Sequence, residues 1–104
     1  TLRDMLRRVG VDVAHYSPGR LRLRVGRIKT DAAFAAELQH RLSAVPGVRE
    51  VALRPLTASV LIEFSADALA GAAARASFLD ALTGLFPSLD RDSLARLLPA
   101  MEPD

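Results

Sequence analysis

The sequence predicts an α+β domain in which a β-sheet is covered on one face by helices, and three observations carry that prediction. The run Arg20-Leu21-Arg22-Leu23-Arg24-Val25 alternates charged and aliphatic residues without a fault, the two-residue period of a half-buried strand. Phe34, Leu38, Leu42 and Val45 recur at helical spacing, which gives an amphipathic helix one apolar stripe. Two further apolar-rich runs, Val48 to Arg54 and Ser59 to Phe64, are separated only by Pro55-Leu56-Thr57-Ala58, the signature of a hairpin.

Taken in order, Leu2, Met5, Leu6 and Val9 mark a short N-terminal helix over residues 1–9, which Gly10 ends. Val11 to Tyr16 is extended in character, and Ser17-Pro18-Gly19 is a turn, because proline presets one dihedral and glycine supplies the unusual one. The arginine strand follows. Thr30 or Asp31 caps the next helix and Pro46-Gly47 stops it. In the hairpin, Val51 and Leu53 match Val60, Ile62 and Phe64 as inward positions. From Asp67 the pattern is helical, with a stripe of Phe78, Leu79, Leu82, Leu85 and Phe86 closed by Pro87. A last helix, over about residues 90–101, starts at Ser88 or Asp90, carries Leu94, Leu97, Leu98 and Met101, and has Pro103 beyond it. The order is strand, helix, strand, strand, helix, with no convincing final strand. A chain of 104 residues has room for one modest core, so residues 1–104 form a single domain with its core at about 11–86.

Composition restricts the chemistry. There is no cysteine, which excludes disulfides, thiolate metal sites and thiol nucleophiles. Apolar stretches fall short of the roughly 20 residues of a membrane-spanning helix, and no charged-then-apolar leader opens the chain. The segment is expected to be a soluble, cytoplasmic domain, free or held at the membrane by a parent protein, since it begins at Thr1 rather than at a methionine. Charge is uneven. Residues 1–30 carry eight basic and two acidic side chains, a balance of +6, and residues 31–104 six and ten, a balance of −4. Such a split suits an anionic partner, or pairing of the basic part of one copy with the acidic part of another; the alternative is a solvated face.

Val25-Gly26, a loop, a helix ending Leu42-Ser43-Ala44-Val45-Pro46-Gly47-Val48, then Val51 and Ser59-Val60-Leu61-Ile62 resemble the heavy-metal-associated domain of copper chaperones and metal-pumping ATPases. His15-Tyr16-Ser17-Pro18-Gly19-Arg20-Leu21-Arg22-Leu23-Arg24-Val25 is similar to the opening of a cysteine-free branch of that family, found alone, in bacterial membrane-associated proteins, or ahead of transport ATPases. The matching segments cover about residues 13–66. The resemblance implies a ferredoxin-like sandwich and a role in metal homeostasis. It also exposes two departures. Where metal-binding members carry a Met-Thr-Cys-x-x-Cys loop, this chain has Arg27-Ile28-Lys29-Thr30-Asp31-Ala32-Ala33; soft Cu(I) needs sulfur ligands, and Arg27 and Lys29 repel a cation. The family's fourth strand, which lies along the outer edge of the first, is degenerate or missing. An open strand edge is usually covered or used for pairing, so either Val11 to Tyr16 or a second chain is expected to occupy it.

Candidate site residues follow. Arg20, Arg22 and Arg24, with Arg27 and Lys29, suit phosphates, acidic lipid headgroups or a carboxylate-rich protein, because guanidinium forms paired hydrogen bonds to such groups; the arginines can equally pair across strands with Glu63 or Glu50. RNA is disfavoured because base readout needs aromatic stacking and only Tyr16 lies near. Ser17, Pro18 and Gly19 form a turn able to present backbone donors to an anion, a common arrangement. His15 and His40, with Glu37, are the only imidazole-based metal candidates, and no cofactor or metal is expected. No nucleophile elbow, phosphate loop or metalloprotease helix occurs. The sequence therefore predicts a non-enzymatic binding or assembly module, accessory to a metal-transport or metal-storage system. It is expected to work by protein contact or by dimerisation through the arginine strand's edge, with His-carboxylate metal handling and anionic nucleic acid or membrane binding as alternatives.

Overall fold

A computed structural model describes residues 2–65 and 71–97. Helix α1 spans Leu2–Arg8, strand β1 Val11–Ser17 and strand β2 Arg20–Val25. A 3₁₀ turn over Gly26–Lys29 leads to α2, Ala32–Ser43; β3 is Val48–Arg54, a second 3₁₀ turn covers Pro55–Thr57, β4 is Ser59–Phe64, and helices α3, Ala72–Leu85, and α4, Arg91–Leu97, complete the chain. The expected onset of the third helix at Asp67, and Leu98, Met101 and Pro103 of the expected last helix, lie outside the described residues.

All four strands form one antiparallel sheet in the order β1-β2-β4-β3. The sandwich has its fourth strand after all, and it comes from the N-terminal side. Of the two occupants expected beside the arginine strand, the chain supplies its own: β1 pairs Val11 with Val25 and Ser17 with Arg20. The link is Pro18-Gly19, with Gly19 at φ +83°, as the second central residue of such a turn requires. A Cβ there would stand 3.0 Å from the Phe64 carbonyl. The arginine strand is thus central, hydrogen-bonded to β1 on one side and to β4 on the other, so its edge is closed to a second copy. The sheet's actual edges, β1 and β3, are each interrupted by a bulge. The Val13 carbonyl accepts from Arg3 Nη1 at 3.1 Å and the Val51 carbonyl from Gln39 Nε2 at 2.9 Å. Bulges and occupied carbonyls are how edge strands avoid pairing with other chains.

The core lies between the sheet and the helices. Leu21, Leu23 and Val25 of β2, Val60, Ile62 and Phe64 of β4, Val51 of β3 and Val11 of β1 are buried against Phe34, Leu38 and Leu42 of α2 and Phe78, Leu82 and Leu85 of α3. Leu6 of α1 and Leu94 of α4 join the same core. Asp31 caps α2, its Oδ1 accepting from the Phe34 amide at 2.9 Å, and Asp90 plays that part for α4 through Ser93. The charged residues are all outside: among the described residues no polar or charged side chain is buried.

Candidate binding face

Because β-strand side chains alternate between faces, inward burial of Leu21, Leu23 and Val25 sends Arg20, Arg22 and Arg24 to the opposite face. No described helix covers it. Strand register then assembles three rows of four across it. The first is Asp12, Arg24, Ser59 and Arg54; the second His15, Arg22, Leu61 and Ala52; the third Ser17, Arg20, Glu63 and Glu50.

These rows divide the face into two electrostatic ends. In the third row, Arg20 Nη2 meets Glu63 Oε1 at 3.1 Å, and Glu63 stands opposite Glu50. That end is neutralised or acidic. In the first row, Asp12 turns instead to Arg7 at 3.3 Å, leaving Arg24 without it. Arg22 faces an imidazole and a leucine. Arg22, Arg24 and Arg54 make no ion pair or side-chain hydrogen bond among the described residues, and all three are exposed. Like charges gathered on one face raise the local positive potential, which an anionic surface relieves.

Sequence reasoning placed Arg20, Arg22 and Arg24 together correctly but missed Arg54. Alternation alone puts Arg54 outward before the Pro55 turn; only the pairing of β4 between β2 and β3 brings it into Arg24's row.

The other predicted residues scatter. The Arg27 guanidinium lies 4.1 Å from the centre of the Phe34 ring and bridges Asp31 at 3.1 Å, so it braces the start of α2 by a cation–π contact and an ion pair. The Phe34 amide, opposed by partial desolvation and helped by Arg27, holds the Asp31 carboxyl below its ordinary range. Lys29 is exposed on the same turn and makes no ion pair among the described residues. Ser17, Pro18 and Gly19 reverse the chain, and the Gly19 carbonyl accepts from the Phe64 amide at 2.9 Å. Tyr16 points to the inner side, its ring 6.5 Å from that of Phe64, and all four phenylalanines are buried. No Phe or Tyr ring lies on the open face, where the His15 imidazole is the only ring among the described residues.

The two histidines are on different layers. His15 is exposed on the open face across from Arg22, whereas His40 is on α2, in a groove against Ser77 and Asp80 of α3. Glu37, beside His40, is held by Arg41 at 2.7 Å, and Asp80 by Arg91. Among the described residues no three His, Asp or Glu side chains converge to hold a metal ion. In the Gly26–Lys29 turn, where the resemblance places the metal-binding cysteines of other members, Arg27 lies over the Phe34 ring and the Ile28 side chain is buried. The donor set does not fit a soft metal ion, which needs thiolate or thioether sulfur. No described helix is long and apolar enough to cross a membrane.

A family model described as heavy metal associated domain 2 matches residues 4–75, from α1 into the first turn of α3. No match was found among curated proteins or among solved structures.

Proposed function

The chain belongs to the heavy metal associated domain 2 family, and from that premise we propose that it is a non-enzymatic, partner-binding member whose open sheet face holds an acidic protein surface in a metal-transport or metal-storage system. The observation that carries the reading is the trio Arg22, Arg24 and Arg54: three exposed guanidiniums on an uncovered sheet face, none paired among the described residues. Guanidinium forks bind carboxylates bidentately, and Leu61 and Ala52 between them offer a small apolar contact. Single-stranded nucleic acid is a poorer fit, since the His15 imidazole is the only described ring on the face and successive bases need a row of stacking rings.

A labelled oligoglutamate peptide, followed by fluorescence anisotropy, tests the proposal. Replacing both Arg22→Glu and Arg24→Glu is expected to weaken binding by about tenfold or more, given the strength of charge-assisted hydrogen bonds. Binding indifferent to the double substitution would falsify it, as would tighter binding of an oligouridine RNA that the same substitutions abolish.

A second copy of the chain is the alternative partner, and the polarity of the face favours it. A two-fold rotation across the strands lays the first row over the third, so that Arg54 of one copy meets Glu50 of the other. Sedimentation velocity should then show a dimer that Arg54→Glu dissociates and that adding Glu50→Arg restores; a monomer at all concentrations removes this alternative.

A further inference from the structure

We propose that the turn between β3 and β4 is a tip that seats on an anionic lipid bilayer, with Leu56 entering the headgroup region and Lys29 and Arg54 meeting phosphates beside it. Leu56 is 92 % exposed, and it is the one exposed large hydrophobic side chain among the described residues. A single surface leucine is ordinary in itself. Here the backbone behind it is firmly held. Pro55 presets the turn; Ala58 takes the left-handed conformation at φ 57°, unfavourable for a residue with a side chain, and is itself buried. The Ala58 amide donates to the Pro55 carbonyl at 3.1 Å, and the Ala58 carbonyl accepts from the Val25 amide at 2.8 Å. Thr57 Oγ1 lies 2.9 Å from Ser59 Oγ. The turn packs against the neighbouring 3₁₀ turn of Gly26–Lys29. Leucine is therefore presented outward by a fixed scaffold.

Its charged surroundings select the occupant. Neither turn contains a carboxylate, and Arg54 and Lys29 make no ion pair among the described residues. Asp31, the acid nearest Lys29 along the chain, is engaged by Arg27 and the Phe34 amide. Glu50 and Glu63 stand at the far end of the strands. An apolar tip flanked by cations, with Glu50 and Glu63 at the opposite pole and the acids at its own end, Asp12 and Asp31, engaged by Arg7 and Arg27, matches a surface of anionic headgroups over hydrocarbon. One leucine and a few cations give reversible adsorption rather than permanent anchoring.

Co-sedimentation with phosphatidylcholine vesicles, with and without phosphatidylserine, tests this. The intact domain should pellet with phosphatidylserine-containing vesicles only, and Leu56→Ser and Lys29→Ala should each lower the bound fraction several-fold, with added glycerophosphoserine failing to compete. Leu56 is so exposed that its replacement should leave the thermal melt unchanged. Equal pelleting of wild type and Leu56→Ser, or pelleting independent of phosphatidylserine, overturns the proposal. Competition by glycerophosphoserine would mean a headgroup site without insertion and also overturns it. Because the tip and the trio of arginines are read by different variants, oligoglutamate binding that survives Leu56→Ser while vesicle binding survives Arg22→Glu keeps the two proposals separate.

Discussion

Along β2, neighbouring side chains enter opposite environments: Leu21, Leu23 and Val25 are 4 %, 5 % and 1 % exposed, while Arg20, Arg22 and Arg24 stand in solvent. The inner three are fixed by close packing on α2 and α3, where any change of volume is felt. The outer three are fixed by much less. Arg20 has Glu63, but nothing among the described residues requires arginine at 22 or 24, so their identity is open to an external surface. One strand thus carries both the fold and the candidate site, one residue apart.

The comparison breaks most sharply at the core. Leu38, 2 % exposed on α2, should destabilise the domain by about 2–5 kcal/mol when replaced by alanine, through lost transfer energy and a residual cavity; urea unfolding measures it. Arg22→Ala should change stability by less than about 0.5 kcal/mol while reducing oligoglutamate binding. A large stability loss from Arg22→Ala would mean that the outer face is structural after all.

A smaller effect is expected at the turn that joins β1 to β2. Gly19→Ala places a side chain at φ +83° and 3.0 Å from the Phe64 carbonyl; left-handed backbone disfavours alanine by about 1–2 kcal/mol, and the contact adds to that. Thermal melts should show the loss, and unchanged stability would remove the turn's part in holding β1 to β2.

The smallest effect is a pH dependence. Asp31 has a lowered pKa in the folded state, so its contribution is fully present above the unfolded value of about 3.9 and fades as pH falls through the lower folded value. Asp31→Asn keeps a capping oxygen and should flatten the dependence of melting temperature on pH in that acid range.

Much of this is legible in the sequence. The faultless alternation of β2, the Asp31 cap and apolar stripe of α2, and the β3–β4 hairpin all follow local rules. What escaped was non-local or irregular. The burial pattern of β1 breaks at the bulge between Val13 and His15, so periodicity alone did not certify it as the fourth strand. Arg54 joins the arginines only through β4, whose pairing with β2 links residues such as Arg20 and Glu63 that are distant in sequence. The sequence sets His15 just before the Ser17-Pro18-Gly19 turn and His40 on a helix, but nothing in their spacing says that these elements fall on different layers. The exposure of Leu56 was equally hidden, since an apolar residue in a short turn can fold in as easily as out.

The N-terminal origin of β1 bears on how the domain assembles. A strand contributed from the far end of the chain would have to close a long loop before gaining any ladder hydrogen bonds, and long-range closure slows folding. Linked to β2 through Pro18-Gly19, β1 needs only a hairpin, an event of about 1–10 μs in isolation. The arginine strand therefore has a local route to sheltering one edge early, limiting the interval in which a nascent sheet can recruit a neighbouring chain.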